Sequence, residues 1–579
     1  PPVRDSGPPS RAQAPSMVGD LTLHLRSLSW RVAMFSGLLA GFTGCDMVPL
    51  AVDGGAPDLS GQDVRVTFLH TSDIHSRLLP YRFDPSFTDN ALGLADGATN
   101  YGGIARMAYV LKRERANAGR VLHLDSGDCF QGAIIFNEFM GEAEVATLSE
   151  AGLDAAVIGN HEFDNGAHNL AVQASKAAGY SLLAANYDFE SSDEPWATDL
   201  ERLSLPSMLY DLDGLKVGVI GLANLSSLNS IYDEDNSLGV KVLHHVDVVN
   251  AEGQLLRDQG ADLIVVVSHM GLDDDIELAG EVEMVDLVLG GHHHVAIDPP
   301  LVVTNKHTGK RVPVVHSGAF AKFIGRLDIV VRDGVLLSHS YTLFPISSST
   351  VPAEDPAVSE IMEDYEELID QTYNMDQVIG EASEKLLRYG STGGDSMLGN
   401  FAAEAMRDFP GVETEIAITN TLGIRSDIGA ELESGDANWP ITLDDLFNSM
   451  PFDNTITTMY LSGAELQETL DYVSSRSTDR GCNSQAQVAG LTFTMNCRDG
   501  VAEDIFVNGE PMDPNGSYEV ATNNYIARGG SGFYMLERNT TQFDTGVSIR
   551  DAVRAAITDT YVLPQPGICE EDGRIRTEY

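Results

Sequence analysis

Five apolar runs in the first half of the chain end in side chains that bind metal ions, and this pattern constrains the fold more than any other feature. The residues that follow the runs are Asp73-Ile74-His75, Gly127-Asp128, Gly159-Asn160-His161, Ser268-His269 and Gly290-Gly291-His292-His293-His294. Short β-branched runs that end in Gly-rich turns, with helical stretches between them, predict a layered α/β fold. Because open α/β sheets gather ligand sites at the carboxyl ends of their strands, we expect these side chains to converge.

The residue types in this set indicate which metals would bind. The set consists of Asp, His and Asn, and it lacks the thiolates of a structural zinc site. It is also too rich in imidazole for Ca or Mg, which prefer oxygen ligands. The set therefore favours a site for two divalent ions of Zn, Mn, Fe or Co and leaves their identity open.

The net charge argues against a nucleic-acid partner. The 86 acidic residues outnumber the 36 basic ones, which leaves a formal charge of -50 at pH 7. Such a surface repels a phosphate backbone and gives no release of counterions on binding. We therefore expect a small-molecule substrate and a heavily solvated acidic surface.

Residues 1–62 are predicted to be a disordered leader, a signal segment and a linker. Arg26 and Arg31 precede an apolar run over Val32–Phe42, which is too short to span a bilayer. Small residues stand directly before Cys45, and this resembles the processing site of bacterial lipoproteins. We predict an exported protein, periplasmic or at the cell surface, that is anchored to a bacterial membrane by lipid on Cys45. The alternative is a plain signal peptide cleaved nearby.

The remaining cysteines are few. In an oxidising compartment, Cys482 and Cys497 are candidates for a disulfide because they flank an apolar, strand-like run, although the sequence leaves the pairing open. Cys129 is predicted to be a small buried core residue rather than a metal ligand.

The chain is predicted to divide into a catalytic domain over residues 63–346, a linker over 347–375 and a second α/β or α+β domain over 376–579. The linker starts with a Ser/Thr/Pro stretch and continues in a helix with the i, i+3, i+4, i+7 spacing of apolar residues. The second domain is predicted to mix helices and strands, namely helices over Met397–Arg407 and Gly463–Ser474 and strands over Ile416–Thr419 and Gly490–Met495.

At the metal-type residues the sequence resembles the calcineurin-like metallophosphoesterases and, within them, the 5′-nucleotidase family. The motifs that carry the resemblance are Asp73-x-His75, Gly127-Asp128-x-x-Gln131-Gly132, Gly159-Asn160-His161-Glu162-x-Asp164, Ser268-His269 and Gly291-His292-x-His294. The resemblance implies a four-layer α/β/β/α catalytic domain. It also implies two metal sites that Asp128 bridges, one formed by Asp73, His75 and His294 and the other by Asn160, His269 and His292.

Two metal ions about 3.5 to 4 Å apart lower the pKa of a shared water and neutralise phosphoryl oxygens, so that hydroxide can attack phosphorus in line. His161 stands beside Asn160 and three residues before Asp164. We therefore predict that His161 donates a proton or hydrogen bond to the phosphoryl or leaving oxygen while Asp164 orients it. The family resemblance implies the same two roles.

The second domain also resembles the 5′-nucleotidase family, so the likeness covers nearly all of residues 64–579. The segment Asn420-Thr-Leu-Gly-Ile-Arg425 is similar to the family segment whose Asn and Arg contact substrate, and an Arg fork suits a phosphate group. The resemblance implies that Phe452 and Tyr525 stack a nucleobase. Without it, both rings would be interpreted as core aromatics.

Two departures from the family pattern bear on the substrate. Ser531 stands where the family usually has an Asp that holds ribose hydroxyls, and residues 389–394 lack arginines often found before the helix at Met397. Arg388 and Arg528 are candidates for supplying the missing positive charge.

These features predict a metal-dependent phosphoric ester hydrolase that converts extracellular or periplasmic nucleoside 5′-monophosphates to nucleoside and phosphate. Two alternatives use the same metal site, namely a UDP-sugar hydrolase and a 2′,3′-cyclic nucleotide phosphodiesterase. A third alternative, from a different class, is a lipid-anchored binding protein with a decayed site. The complete set of ligands argues against decay. The oligomeric state stays open.

Overall fold

The structure, a computed structural model, describes residues 57–94, 100–177, 179–189, 195–224, 240–432, 435–478 and 480–579. The predicted leader, with Cys45, lies outside the described residues. Within the described ranges, no helix combines the length and the apolar character needed to cross a membrane.

The first part of the chain, up to Pro345, alternates strands and helices. Its strands are β1 (Val64–Thr71), β2 (Val121–Asp125), β3 (Ala155–Val157), β4 (Ser181–Leu183), β5 (Tyr187–Asp188), β6 (Ser204–Leu205), β7 (Ser207–Leu212), β8 (Leu215–Leu222), β9 (Lys241–Val242), β10 (Leu263–Ser268), β11 (Leu287–Gly290), β12 (Leu301–Thr304), β13 (Arg311–His316), β14 (Phe323–Arg332) and β15 (Val335–Pro345). Its helices are α1 (Phe87–Ala91), α2 (Ile104–Ala116), α3 (Ile134–Phe139), α4 (Glu142–Ala151), α5 (Gly166–Ala174), α6 (Pro195–Leu203), α7 (His245–Asp258) and α8 (Leu272–Glu281).

Two sheets form the centre of this part. The strand order is β15-β14-β1-β2-β3-β4-β6 in the first sheet and β12-β13-β11-β10-β8-β7 in the second. Strands β1 to β4 are parallel neighbours, and so are β8, β10, β11 and β13. The predicted metal ligands follow β1, β2, β3, β10 and β11, so they lie at the carboxyl ends of parallel strands.

The two sheets pack face to face, and helices cover their outer faces. On β10, Val265 and Val267 belong to the core that both sheets share, whereas Ile264 and Val266 pack in a separate core with Leu256 of α7. A strand that is buried on both faces must be apolar throughout, which explains the uninterrupted run in β10. The four-layer α/β/β/α arrangement is confirmed.

Helix α9 (Pro356–Thr372) follows the first part and confirms the helix predicted in the linker. The Asp355 side chain caps it by accepting a hydrogen bond from the amide of Val358, and Pro356 occupies the first turn. Val358, Met362 and Ile369 are its buried residues, in agreement with the predicted apolar spacing.

The second part of the chain is a mixed α/β unit. Its strands are β16 (Val378–Ala382), β17 (Ile416–Asn420), β18 (Trp439–Thr442), β19 (Thr455–Ser462), β20 (Ala486–Ala489), β21 (Leu491–Asn496), β22 (Val501–Val507), β23 (Glu510–Pro511), β24 (Ser517–Asn523), β25 (Phe543–Ser548), β26 (Val562–Leu563) and β27 (Ile575–Glu578). Its helices are α10 (Met397–Arg407), α11 (Leu443–Ser449), α12 (Gly463–Thr478), α13 (Asn524–Ala527), α14 (Tyr534–Glu537) and α15 (Ile549–Thr560). Helix α10 has the predicted bounds, and α12 extends beyond its predicted end at Ser474.

A disulfide joins Cys482 to Cys497 and thereby links the turn after α12 to the end of β21. This is the pairing that the sequence suggested. Cys129 is free and half-buried, and among the described residues it belongs to no cluster of metal-binding side chains.

The two parts of the chain contact each other through the segment that follows β1. Arg82 pairs with Asp445 of α11 at 2.8 Å, and Lys385 pairs with Asp84 at 2.9 Å. The first pair holds the start of α11, and the second holds the segment after β16, beside the loop that follows the first metal motif.

Candidate active site

Sharp turns position most of the predicted metal ligands. Five of them, Asp73, His75, Asp128, His292 and His294, have positive φ angles between 50° and 74°. Non-glycine residues rarely adopt this left-handed region, and such strain concentrates at functional sites. The turns redirect the chain at the ends of β1, β2 and β11 so that the side chains meet in one place.

Among the described residues, possible ligand atoms converge in three overlapping groups: Asp73, His75 and His294; Asp128, His269 and His292; and His75, Asp128 and His161, which links the other two. In the first group, Nε2 of His75 lies 2.9 Å from Nε2 of His294, and Nε2 of His294 lies 3.5 Å from Oδ1 of Asp73. In the second group, Nε2 of His269 lies 2.9 Å from Oδ2 of Asp128. The same Asp128 oxygen lies 3.9 Å from Nε2 of His75, so this carboxylate stands between the groups.

The two remaining predicted ligands lie in or next to the second group. The ring of His292 lies 5.1 Å from that of His269, and its ligand atom lies within 4.8 Å of those of Asp128 and His269. Asn160 immediately precedes His161, whose amide donates to Oδ1 of Asp128 at 2.7 Å. The Asn160 side chain is buried, and its Oδ1 has no hydrogen-bond partner among the described residues.

The protonation of the imidazoles fits a metal site. Nδ1 of His75 lies 2.7 Å from the carbonyl oxygen of Gln131, and Nδ1 of His269 lies 2.5 Å from that of Ser126. A carbonyl oxygen only accepts hydrogen bonds, so Nδ1 carries a proton in both rings and Nε2 is the atom that faces the cluster. Burial holds the pKa of His75 well below its usual range, so this ring is neutral and its Nε2 carries a lone pair. Nε2 of His269 lies 2.9 Å from Oδ2 of Asp128. Burial lowers the pKa of His269, but the Asp128 carboxylate outweighs burial and raises this pKa to about 10, so a metal ion that binds there displaces the proton. Converging imidazole and carboxylate lone pairs fit divalent metal ions.

The charge of the cluster supports the same conclusion. Burial raises the pKa of Asp73 to about 6, although the neighbouring His269 opposes this shift. A second buried carboxylate, Asp128, raises the pKa of Asp73 further by repulsion. Two carboxylates buried this close together are best accommodated when positive charge lies between them, as a divalent ion provides.

His161 and Asp164 form a hydrogen-bonded pair at the edge of the cluster. Nδ1 of His161 lies 2.6 Å from Oδ2 of Asp164, and the His161 ring lies 5.1 Å from the His75 ring. Burial lowers the pKa of His161, but the carboxylates of Asp164 and Asp128 outweigh burial, and the net pKa is raised. A raised pKa keeps the imidazole protonated closer to neutral pH, which suits a proton donor.

The second part of the chain brings Arg425 and Phe452 to the metal cluster. Nη2 of Arg425 lies 3.2 Å from Nε2 of His75. The Phe452 ring lies 6.1 Å from the His161 ring and 5.8 Å from the Arg425 guanidinium carbon. Asn420 and Phe452 line the same small cavity, so three of the four predicted substrate residues gather on this side of the site.

Tyr525, the fourth predicted substrate residue, is joined to Ser531. The Tyr525 hydroxyl lies 3.1 Å from Oγ of Ser531 and accepts a hydrogen bond from the Ser531 amide at 3.0 Å. The carbonyl of Ser531 in turn accepts a hydrogen bond from the Tyr472 hydroxyl at 2.6 Å. Ser531 is therefore tied to two tyrosines and provides no carboxylate at this position.

Two arginines hold the loops that carry Arg425 and Phe452. Nη1 of Arg388 donates to the carbonyl of Arg425 at 2.7 Å, so this side chain positions the loop of Arg425. Nη1 of Arg550 donates to the carbonyls of Met450 and Pro451 at 3.0 and 3.1 Å, directly before Phe452. Sequence reasoning considered Arg388 only as a source of charge, and it missed Arg550 because no local pattern links α15 to the Phe452 loop.

Comparisons with known proteins agree with this architecture. Residues 66–296 match the family model of the calcineurin-like phosphoesterases, and residues 378–538 match that of the 5′-nucleotidase C-terminal domain. The chain is 28% identical over 539 residues to a 5′-nucleotidase of Diplobatis ommata, covering 86% of this chain and 88% of the relative. It is 27% identical over 550 residues to the 5′-nucleotidase of Homo sapiens, covering 88% of this chain and 90% of the relative.

A solved structure extends the comparison to three dimensions. The crystal structure of a 5′-nucleotidase precursor from Thermus thermophilus superposes with a TM-score of 0.77 at 28% identity, covering 89% of this chain and 99% of that one. Both parts of the chain therefore have counterparts in a single relative of similar length. The chain belongs to the 5′-nucleotidase family, with a calcineurin-like phosphoesterase domain before a 5′-nucleotidase C-terminal domain, and it is a metal-dependent phosphoester hydrolase.

Proposed function

We propose that the protein releases phosphate from nucleoside 5′-monophosphates at a site for two divalent metal ions. The observation that carries this proposal is the position of Arg425 and Phe452 beside His75 and His161. A guanidinium fork suits a phosphate group, and an aromatic ring next to it suits a nucleobase. The relatives named 5′-nucleotidase support the same substrate class.

The proposed ligands of the first ion are Asp73, His75 and His294, and those of the second are Asn160, His269 and His292, with Asp128 shared. The group of Asp73, His75 and His294 and the group of Asp128, His269 and His292 support this division. The overlapping group of His75, Asp128 and His161 links them through Asp128. When bound, the ions would activate water and neutralise the charge on the phosphoryl oxygens.

His161 and Asp164 are the proposed catalytic pair. With Nδ1 of His161 bonded to Asp164, Nε2 is the ring atom left to meet the substrate. Its proton would pass to the leaving oxygen of the nucleoside as the bond to phosphorus breaks. Asp164 would hold the ring orientation and stabilise the protonated imidazole.

Four residues of the second part are the proposed substrate contacts. Arg425 would bind the phosphate, Asn420 would hydrogen-bond the substrate, and Phe452 and Tyr525 would stack the base. In this division of labour residues 63–346 perform the chemistry and residues 376–579 recognise the substrate, with residues 347–375 as the connection.

We also propose that the protein is exported and held on a bacterial membrane by lipid on Cys45. The disulfide between Cys482 and Cys497 supports an oxidising compartment, because such bonds are rare in the cytosol. Snake venom 5′-nucleotidases are among the relatives, so secreted members of the family occur.

A second candidate function keeps the metal site and changes the substrate. Ser531, tied to Tyr525, offers no carboxylate to ribose hydroxyls, and this favours testing 2′,3′-cyclic nucleotides, in which both ribose hydroxyls are esterified. UDP-sugars are tested beside them as the other substrate class for the same metal site. A relative from Bacillus subtilis is named a trifunctional nucleotide phosphoesterase.

The test is phosphate release by the purified protein from AMP, UDP-glucose, 2′,3′-cyclic AMP and p-nitrophenyl phosphate. Each substrate is assayed after chelation and again after addition of Mn²⁺ or Zn²⁺. The products of 2′,3′-cyclic AMP and UDP-glucose are also identified by chromatography. We expect metal-restored turnover with the highest kcat/KM on AMP. Restored turnover on UDP-glucose or the cyclic nucleotide instead would establish the second candidate. Bound metal without turnover on any substrate would overturn both.

A further inference from the structure

Glu162 is a buried carboxylate that joins two loops of the metal cluster. Its Oε2 accepts hydrogen bonds from the amides of Gly159 at 2.6 Å and Asp128 at 3.0 Å. Its Oε1 accepts from the amides of Cys129 at 2.7 Å and Phe130 at 3.3 Å. One side chain thus holds the backbone of the loop after β2 and of the loop after β3.

The chemistry of these contacts requires a carboxylate. An ionised carboxylate only accepts hydrogen bonds and has lone pairs for all four amides, and each bond is strengthened by the charge. A Gln side chain of the same shape would turn an NH₂ group towards two of the amide donors and lose both bonds. A buried amide left without its acceptor costs about 1–3 kcal/mol.

The backbones of the loops after β2 and β3 lie in close contact at Gly127 and Gly159. A Cβ atom on Gly159 would lie 2.3 Å from Oδ1 of Asp128 and 2.8 Å from Oε2 of Glu162. A Cβ atom on Gly127 would lie 2.8 Å from the amide nitrogen of Gly159. Glycine at both positions lets the loops interlock around the Glu162 carboxylate, so a small shift of Glu162 displaces both.

We propose that Glu162 is a positioning residue that sets the relative placement of Asp128 and Asn160 as metal ligands. Asp128 lies in the loop after β2, and Asn160 lies in the loop after β3. Glu162 accepts hydrogen bonds from the amide of Asp128 and from the amide of Gly159, directly before Asn160. The inference rests on the proposed roles of Asp128 and Asn160. Loss of Glu162 should therefore weaken the second metal site, formed with His269 and His292, more than the first.

The experiment compares metal binding by the full-length wild-type protein and Glu162→Gln. Apoprotein is titrated with Mn²⁺ or Zn²⁺, and native mass spectrometry counts the ions bound to folded protein. Outer-sphere partners of metal ligands typically contribute about 10- to 100-fold in affinity. We expect a loss of this size for the second ion in Glu162→Gln, so that a one-metal species persists where the wild type holds two.

The matched control is Asp395→Asn. Asp395 is also a fully buried carboxylate, and it accepts backbone hydrogen bonds from the amides of Asp572 at 3.0 Å and Gly573 at 3.2 Å. It lies in the second part of the chain, away from the proposed ligands. We expect this variant to lose thermal stability while its affinity for both ions stays at the wild-type value.

The outcomes separate this inference from the proposed function. Wild-type affinity for both ions in Glu162→Gln, with a fall in melting temperature only, would overturn the positioning role. Glu162→Asp, which keeps the charge and shortens the side chain, should fall between Glu162→Gln and the wild type. If the wild type binds a single ion, the two-metal proposal fails, and the affinity for that ion in Glu162→Gln still decides the role of Glu162. Native mass spectrometry distinguishes folded from unfolded protein by charge state, so a partly unfolded variant remains informative.

Discussion

Nη2 of Arg425 lies 3.2 Å from Nε2 of His75, although 350 positions separate these residues in the chain. The contact places a cation of the second part against a proposed metal ligand of the first part. A phosphate group that bound there would meet the guanidinium and the metal cluster at the same time. Under the proposed function, substrate recognition and chemistry depend on the packing of the two parts against each other.

Replacing Arg425 should impair substrate turnover more than stability. Arg425→Met removes the charged hydrogen bonds to phosphate, each about 1.5–3 kcal/mol, so we expect kcat/KM for AMP to fall about 10- to 100-fold. Arg425→Lys should recover part of this loss through charge alone. The control is Arg498→Met, since Arg498 is exposed and pairs only loosely with Asp499 at 3.6 Å. Wild-type kinetics in Arg425→Met would contradict its role.

The pH dependence of kcat should identify His161 as the proton donor. The carboxylates of Asp164 and Asp128 raise the pKa of His161 against the effect of burial. Asp164→Asn removes one of these charges, so the pKa of His161 falls. A donor works in its protonated form, and kcat should therefore decline at a lower pH in Asp164→Asn than in the wild type. The measurement is kcat from about pH 5 to 10 at saturating metal, a range that spans the titration of an imidazole.

His161→Ala tests the same pair by removal. Loss of a positioned acid or base lowers rates typically by about 10² to 10⁴. We expect a fall of kcat in this range with both metal ions still bound, as counted by native mass spectrometry. An unchanged alkaline limb in Asp164→Asn, together with a loss below tenfold in His161→Ala, would rule out the pair as the donor.

Metal removal should destabilise the protein. The buried carboxylates of Asp73 and Asp128 repel each other, and bound cations relieve this repulsion. Ligands that bind only the folded state also stabilise it by mass action. We expect the melting temperature to fall on chelation and to return with Mn²⁺ or Zn²⁺, measured by differential scanning fluorimetry. Equal melting temperatures with and without metal would show that the cluster holds no tightly bound ion.

Arg550 should affect base recognition and leave phosphate chemistry intact. Its hydrogen bonds to the carbonyls of Met450 and Pro451 hold the loop of Phe452. In Arg550→Met we expect KM for AMP to rise several-fold, while kcat/KM for p-nitrophenyl phosphate, which lacks a base, stays near the wild-type value. The control is Arg554→Met on the same helix, because Arg554 is bonded to Gln377 instead. Equal losses on both substrates in Arg550→Met would contradict this division.

The disulfide should contribute to global stability. Cys482 and Cys497 are 15 residues apart, and closing a loop of this size is worth about 3 kcal/mol in chain-entropy models. The double variant Cys482→Ala, Cys497→Ala should lose free energy of unfolding in urea on this scale. Wild-type protein treated with a phosphine reductant should lose a similar amount, whereas the double variant should not respond to the reductant.

Much of the fold follows from local pattern in the sequence. The uninterrupted apolar run of β10 predicts a strand buried on both faces, and the cap and spacing of α9 predict its helix. Helix α10 could be predicted to the residue because Ser396 caps its start. The bounds of α12 were less predictable, since polar residues continue past Ser474 without a stop signal.

The sequence by itself determined which side chains could bind metal and that they would meet, because metal-type residues after parallel strands reach the same sheet edge. Only the tertiary structure decided how they meet. Positive φ angles at Asp73 and His294, the Nδ1 anchor of His75 on Gln131 and the four amides gathered by Glu162 all depend on backbone brought together from distant loops. Such contacts produce no periodic pattern in the sequence, because hydrogen bonds between loops depend on distance and direction in space.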